Sequence, residues 1–362
     1  MKVALVHDYL NQYGGGERVL EDLMKIFPTA PIYTLLYDAE RTMGKFEGRI
    51  GGTSFLDVPF VRRRHRPFIP LMPFAAASLN LGSEYDVVIS DTAGYAKGFR
   101  SRGQVFHLCY CHTPLRFAWE SESYFSNPFF KMIGAPGFLS HRIWDRRMAA
   151  RPQVLIANSQ FIAGKIKRYY KREVPVVYPA VAREKFYYDP RLVSRGYYLA
   201  VGRLMGYKKF DLTIRAFSQL GRSLKIVGRG PETSRLEMLA RQLKAPVEFI
   251  SFLADEALRK MYAEAEALVF PQIEDFGLVA AEAQACGTPV VAFRGGGALE
   301  IVKEGLSGGF FDEMKPESLA SAVRRLDDVH FDRRVIAAEA ERFSFQRFRD
   351  GILSFLPSSL LS

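Results

Sequence analysis

The chain of 362 residues is poor in cysteine, and its three cysteines, Cys109, Cys111 and Cys286, are an odd and scattered set. That argues against a disulfide framework and suits a reducing cytoplasm. Cys109 and Cys111 precede His112, but the spacing is not C-x2-C and no second cluster accompanies it, so residues of a buried strand are the better reading than metal ligands. No apolar run reaches membrane-spanning length. The opening MKVALVHDYL turns polar too soon for a secretory signal and reads as a first strand. Acidic residues are outnumbered, 39 against 50 basic, for a net charge of +11. Such a surplus suits a polyanionic ligand or an acidic membrane surface. No zinc finger, RNA-binding aromatic signature or heptad repeat goes with it, so nucleic acid is not an expected partner. The loop Gly14-Gly15-Gly16-Glu17-Arg18-Val19 also lacks the last glycine of a dinucleotide fingerprint, which excludes an NAD-type reading of it.

With 48% hydrophobic and 25% charged residues the composition is that of a globular protein, and the length suggests two domains. Apolar strand-like runs alternate with helical stretches, the mark of an α/β fold with parallel sheets. The first set is Lys2–His7, Pro31–Tyr37, Tyr85–Ser90, Val105–Cys111, Val154–Asn158 and Val174–Tyr178. The pattern restarts with Tyr197–Gly202, Leu224–Val227, Val247–Ile250, Leu268–Phe270 and Pro289–Phe293. Between the sets, Pro179–Gly196 reads as an interdomain linker. Phe343–Leu361 reads as an amphipathic helix with Phe345, Phe348, Ile352 and Phe355 available for one face.

The densest signal is EDFGLVAAEAQACGTPVVA, residues 274–292. A strand, a glycine-containing turn at Phe276-Gly277 and a helix starting near Leu278 make an anion site, because unpaired N–H groups and the positive dipole end face the ligand. Glu274 and Glu282 beside it would repel phosphate, and make sense if they hold hydroxyls of groups attached to a phosphate. Arg203 follows the strand Tyr197–Gly202 and Lys208 precedes a helix, two cations suited to a diphosphate leaving group. Gly228-Arg229-Gly230-Pro231 follows another strand. His112, in Tyr110-Cys111-His112-Thr113-Pro114-Leu115-Arg116, closes an apolar strand, where α/β sites form.

These motifs resemble the retaining glycosyltransferases of GT-B fold, the family 4 or "group 1" type, over nearly the whole chain. The segment 274–282 is similar to the family's E-x7-E signature. By that resemblance Glu274 contacts the donor sugar, with Phe276, Gly277 and Leu278 at its backbone, and Glu282 contacts the nucleotide ribose. Gly14 and Gly15 match the G-G-x-E-R-V loop that approaches the donor diphosphate. Residues 202–211 resemble G-R-x4-K-G-x-D, with Lys209 where a glycine is usual, and make Arg203 and Lys208 diphosphate clamps. Gly228 falls in the element near the nucleotide base. A His at the position of His112 meets the transferred sugar, so the catalytic set is His112, Glu274, Arg203 and Lys208. Asp8 and Arg116 are assigned to the acceptor side.

The Y-C-H-T-P-x-R form is similar to bacterial mannosyltransferases that build O-antigen-like lipopolysaccharide. The resemblance therefore implies two doubly wound (Rossmann-like) domains facing a central cleft. The first is 1–180 on the acceptor side, with 343–362 packing back on it, and the second is 181–342 for the donor. The implied reaction is metal-independent transfer of a hexose, mannose from GDP-mannose, to a saccharide or lipid-linked acceptor, without a cofactor or a protein nucleophile. No D-x-D metal signature appears among the matched motifs. A sugar-nucleotide epimerase of similar architecture and a non-enzymatic polyanion-binding protein are the alternatives.

A basic and aromatic stretch stands outside this account. Arg62, Arg63, Arg64 and Arg66 lie among Phe60, Phe68, Ile69, Leu71, Met72 and Phe74, and a second aromatic region runs from Tyr124 to Trp144. Such a mixture suits acidic lipid headgroups or a lipid-diphosphate, placing the protein in the cytoplasm, peripheral on the inner face of the plasma membrane. A solvated basic loop is the alternative.

Overall fold

A computed structural model describes residues 1–120, 128–251 and 253–361. Tyr124 and Phe252 lie outside the described residues. The chain forms two compact units, one of Met1–Tyr178 with Phe348–Ser362 and one of Pro179–Arg347.

The first unit carries β1 (Val3–Leu10), β2 (Ile32–Tyr37), β3 (Ile50–Thr53), β4 (Asn80–Leu81), β5 (Val87–Thr92), β6 (Arg100–Ser101), β7 (Phe106–Cys111) and β8 (Val154–Ala157). Six of them form a parallel sheet in the order β3-β2-β1-β5-β7-β8, while β4 and β6 pair separately. Near-continuous apolar sequence in β1, β5 and β7 follows from burial on both faces, since every residue of β5 is buried. Helix Gly15–Ile26 buries Val19, Leu20 and Leu23. A second core gathers around Cys109, Cys111, Leu155 and Ile162. The cysteines are thus fully buried strand residues, with burial pushing the Cys109 thiol up to about 11.

The second unit carries β9 (Tyr197–Val201), β10 (Leu224–Val227), β11 (Val247–Ile250), β12 (Ala265–Phe270), β13 (Val290–Phe293) and β14 (Gly308–Phe311). They form a parallel sheet in the order β11-β10-β9-β12-β13-β14. Helix Phe210–Leu220 buries Phe210, Ile214, Ala216 and Phe217 in the core of this unit. In each unit the strand order reverses once, between β1 and β5 and between β9 and β12. Ligands of open α/β sheets bind at the carboxyl ends of strands flanking such a reversal.

Some sequence expectations need correction. Val174–Tyr178 is not a strand and makes only an isolated bridge, Val176 to Ala157. The strands β3 and β14 were not expected, because their sequences IGGT and GGFF carry two glycines each and lose the β-propensity signal. Pro179–Gly196 is not a free linker. Its Phe186 is buried against the ring of Tyr262 at 5.8 Å, and its Asp189 lies 3.9 Å from Arg259. The final amphipathic stretch splits into helices Phe345–Leu353 and Ser358–Leu361. Phe348 and Ile352 are buried, whereas Phe345 and Phe355 are only half-buried. Phe348 packs edge-on against Tyr110 at 5.6 Å, and Gly351 lies so close to Val177 that a Cβ would come within 2.8 Å of it.

Candidate functional site

Parallel register brings the first unit's polar cluster together. His7 of β1 stands opposite Asp91 of β5, and the His112 N–H, one residue past β7, donates to the Thr92 carbonyl at 2.8 Å. Asp91 therefore lies between two imidazoles, with His7 Nδ1 2.8 Å from Oδ2 and His112 Nε2 2.6 Å from Oδ1. Asp91 is fully buried, and its carboxylate is held down at about 2: burial opposes the charge, but the two histidines outweigh it. His7 is raised to about 10, burial again being overcome by Asp91 and by Glu17, 4.0 Å away. His112 is raised too, with burial opposing and Asp91 prevailing.

Neighbouring polar groups face inward. Asp8 accepts from the N–H groups of Ala93, Tyr95 and Ala96 at 2.6–2.7 Å and from the Thr92 hydroxyl. Its carboxylate fastens the loop after β5. Arg116 is half-buried at the start of helix Arg116–Trp119. Gly14 caps helix Gly15–Ile26 in extended geometry, φ −162°, and none of Gly14, Gly15 and Gly16 has a positive φ. The extended backbone at Gly14 is open to any residue. What these glycines supply is room: a Cβ on Gly16 would sit 3.8 Å from His112 Nε2.

In the second unit, Lys208 follows β9 and Glu274 follows β12, so each comes from one side of the reversal. Lys208 Nζ is 2.6 Å from Glu274 Oε1, their side chains 11% and 20% exposed. Burial works against the lysine's charge, but Glu274 outweighs it and its pKa is raised. Gln272 Nε2 also approaches Glu274 Oε1, at 3.3 Å. Close backbone approach shapes the surroundings. A Cβ on Gly228, whose φ is +144°, would lie 2.0 Å from the Gly202 carbonyl oxygen, and one on Gly296, φ +66°, would lie 2.5 Å from that of Glu274. Only glycine is accommodated at such positions. Gly277 caps helix Leu278–Ala285 at φ +110°. Phe276 beside it is buried on the Phe343 ring, and Leu278 is half-buried.

Glu282 is 3% exposed and takes the Tyr262 hydroxyl at 3.1 Å, while Arg203 is exposed. Lys209, standing where the resembling pattern has glycine, is left-handed at φ +56°. Non-glycine residues pay about 1–2 kcal/mol there, so the geometry of that turn is kept at a cost. The structure thus pairs Lys208 with Glu274. Sequence reasoning missed His7, Glu17, Asp91, Gln272 and Tyr262 as members of these clusters. Asp91 had a readable signal, an acid at the carboxyl end of a buried strand. Among the described residues, no three His, Cys, Asp or Glu are grouped to hold a metal ion. Nor is any described helix long and apolar enough to cross a membrane.

Two six-stranded parallel sheets, each with its polar cluster at the strand-order reversal, define a protein of two Rossmann-like α/β units. Known proteins place it more narrowly. A family model described as Glycosyltransferase Family 4 matches residues 13–185, and one described as Glycosyl transferases group 1 matches 191–342. The chain belongs to the group 1 type of GT-B glycosyltransferases. An uncharacterized glycosyltransferase of Methanocaldococcus jannaschii is 36% identical over 158 residues, 41% of this chain and 40% of that protein. A D-inositol 3-phosphate glycosyltransferase of Segniliparus rotundus is 30% identical over 260 residues, 62% of this chain and 56% of that one. The chain thus spans about half the length of these curated relatives. Over its fold it is similar to Anabaena HepE, solved with UDP, with a TM-score of 0.74 at 21% identity over 98% of this chain and 99% of that one. The lipopolysaccharide outer core galactosyltransferase WaaB gives 0.69 at 17% identity, over 98% and 100%.

Proposed function

We propose that this protein transfers a hexose from a nucleotide diphosphate sugar to a saccharide acceptor, with retention at the anomeric carbon and without a metal. The Lys208–Glu274 pair carries the reading. A diphosphate arriving at Lys208 takes over the anionic partner that Glu274 now supplies, which frees the carboxylate for hydroxyls of the sugar. Arg203 and the helix start at Gly277 add positive potential for the leaving group, which is where charge develops as the glycosidic bond breaks. Phe276 and Leu278 frame that helix start, Gly228 leaves room near the base, and Glu282 takes the ribose. The first unit contributes His112, with Gly14 and Gly15 toward the diphosphate and Arg116 toward the acceptor, and Asp8 holds the loop after β5. The leaving phosphate helps to deprotonate the acceptor hydroxyl, so no protein nucleophile is required.

Mannose from GDP-mannose is the donor favoured by the residues 110–116. A uridine nucleotide is the second reading, favoured by the UDP and UDP-glucose bound to HepE. Calorimetric titration with GDP, UDP and their sugars separates them: tighter GDP binding supports the first, and tighter UDP binding removes it. Sugar transfer is tested directly by product analysis with each donor. Absence of transfer from any nucleotide sugar to any saccharide or polyol would overturn the reading, and inversion of the free donor would favour an epimerase.

A lipid-linked acceptor at the inner membrane face fits Phe60, Leu71 and Phe74, which are 64%, 42% and 66% exposed, beside exposed Arg63, Arg64 and Arg66. Arg62 belongs elsewhere, since its guanidinium holds Asp57 at 2.6 Å. Indifference to acidic vesicles at low salt would rule this placement out.

A further inference from the structure

We propose that Asp91 is the positioning residue of the first unit's site: its one buried carboxylate grips His7 with one oxygen and His112 with the other, and so fixes the edge of the His112 ring that is offered to a bound sugar. The inference rests on the sugar-transfer reading for its purpose but on the geometry alone for its substance. Asp91 contributes nothing to a ligand directly, being fully buried, and the side chains that flank it are 6% exposed for His7 and 14% for His112. His112 is therefore the member of the cluster that retains access. With Nε2 committed to Asp91, Nδ1 is the ring's other polar atom. The bond also fixes the ring's proton on Nε2, so that in the neutral ring Nδ1 can only accept, and in the imidazolium it can only donate.

The charged surroundings favour the second state. Besides Asp8, whose charge is met by the N–H groups after β5, two carboxylates, Asp91 and Glu17, are buried here, and buried charges are tolerated when opposite charges compensate them. His7 compensates one, and a protonated His112 compensates the other. The groups facing His112 are His7 and Asp8 on β1, Asp91 on β5 and Tyr110 on β7, while Glu17 on helix Gly15–Ile26 faces His7. Of these, His7 alone opposes its charge. A donor N–H on Nδ1 suits a sugar oxygen, neutral or gaining charge during transfer. The arrangement parallels the metal-binding histidine whose second ring nitrogen is oriented by a carboxylate, with a sugar in place of the metal.

Ring-nitrogen NMR of the parent protein, with His112 assigned by comparison with His112→Gln, reads the geometry whether or not sugar is transferred. The expected result is an Nε2 proton protected from exchange and a ring that titrates above the free-histidine range. In Asp91→Asn, which keeps an acceptor but loses the charge, His112 should titrate lower by about one pH unit or more. Turnover should fall about tenfold or more while the donor KM stays within about twofold, the pattern of an interaction that matters in the transition state. An unprotected Nε2 proton and ordinary titration in the parent would overturn the proposal, as would a folded Asp91→Asn protein with full turnover. Should that variant not fold, the parent spectrum decides. A parent that transfers nothing counts against the sugar-transfer reading and leaves the spectrum to decide this one.

Discussion

At the strand-order reversal of the first unit, Asp91 is fully buried between His7 and His112; at the same place in the second, Lys208 and Glu274 hold each other with side chains 11% and 20% exposed. Both sheets are parallel and follow one strand order, so topology alone does not set the difference. What differs is how each unit makes room. Around the second unit's pair the backbone approaches itself closely, at Gly202, Gly228 and Gly296, all with positive φ. Around the first unit's cluster the glycines are conformationally ordinary, and side-chain hydrogen bonds order the loops. One reversal is built as a locked charge cluster, the other as a glycine-shaped surface with a partly exposed ion pair. The first suits positioning, the second binding.

The largest effect should come from a buried pair of the first unit. Lys97 and Asp145 are both fully buried and 2.7 Å apart, and Asp145 also accepts from Trp119 Nε1, the Tyr170 hydroxyl and the Leu115 N–H. Asp145→Ala strands a buried ammonium and should cost about 3–5 kcal/mol in urea unfolding. In the second unit, Glu313→Ala removes an exposed partner of Lys315 and should leave the urea midpoint close to the parent's. Equal losses would show that the units do not differ in how they depend on charge.

Glycine substitution sharpens the contrast in the opposite direction. Gly228→Ala puts a methyl group 2.0 Å from a backbone oxygen at a positive φ, and should destabilise by about 3 kcal/mol or more. Gly16→Ala meets nothing closer than 3.8 Å and should change the unfolding midpoint little. A tolerant Gly228 would mean that the β9–β10 turns relax easily, and the contrast would collapse.

The pH dependence should belong mainly to the first unit. His7 is raised from 6.5 to about 10 in the fold, so its stabilising charge is fully present below pH 6.5 and is lost as pH rises toward 10. Asp91 is lowered from 3.8 to about 2, so its contribution is present above pH 3.8 and is lost as pH falls through 2. His7→Gln should therefore be less stable than the parent at pH 6 by on the order of a few kcal/mol, with the gap closing toward pH 10. A gap that stays constant with pH would mean that His7 is neutral in the fold.

The remaining effects concern ligand affinity rather than stability. Lys208→Ala should weaken a nucleoside diphosphate by about 1.5–3 kcal/mol while leaving the nucleoside unaffected, as read by calorimetry. Glu274→Gln should reduce sugar transfer, yet strengthen diphosphate binding slightly, because it releases the ammonium that Glu274 occupies. Weaker diphosphate binding in Glu274→Gln would show that the carboxylate supports the cation's geometry rather than competing for it.

The sequence by itself determined the α/β class, most of the central strands and the strand–turn–helix junction before Leu278, because parallel strands covered on both faces leave unbroken apolar runs and the residues of such a junction are adjacent in the chain. It left β3 and β14 unread, since two glycines in four residues erase the local preference and only pairing with β2 and β13 makes them strands. The partners of each charge were decided by tertiary structure. His7, Asp91 and His112 are up to 105 positions apart, and only the register of β1, β5 and β7 sets them side by side. Asp8 looked like an acceptor-side acid, but the loop after β5 folds its N–H groups onto that carboxylate. Lys208 and Glu274 each stand out in the sequence, but their contact exists because β9 and β12 are neighbours at the reversal, a pairing between segments that no local pattern encodes.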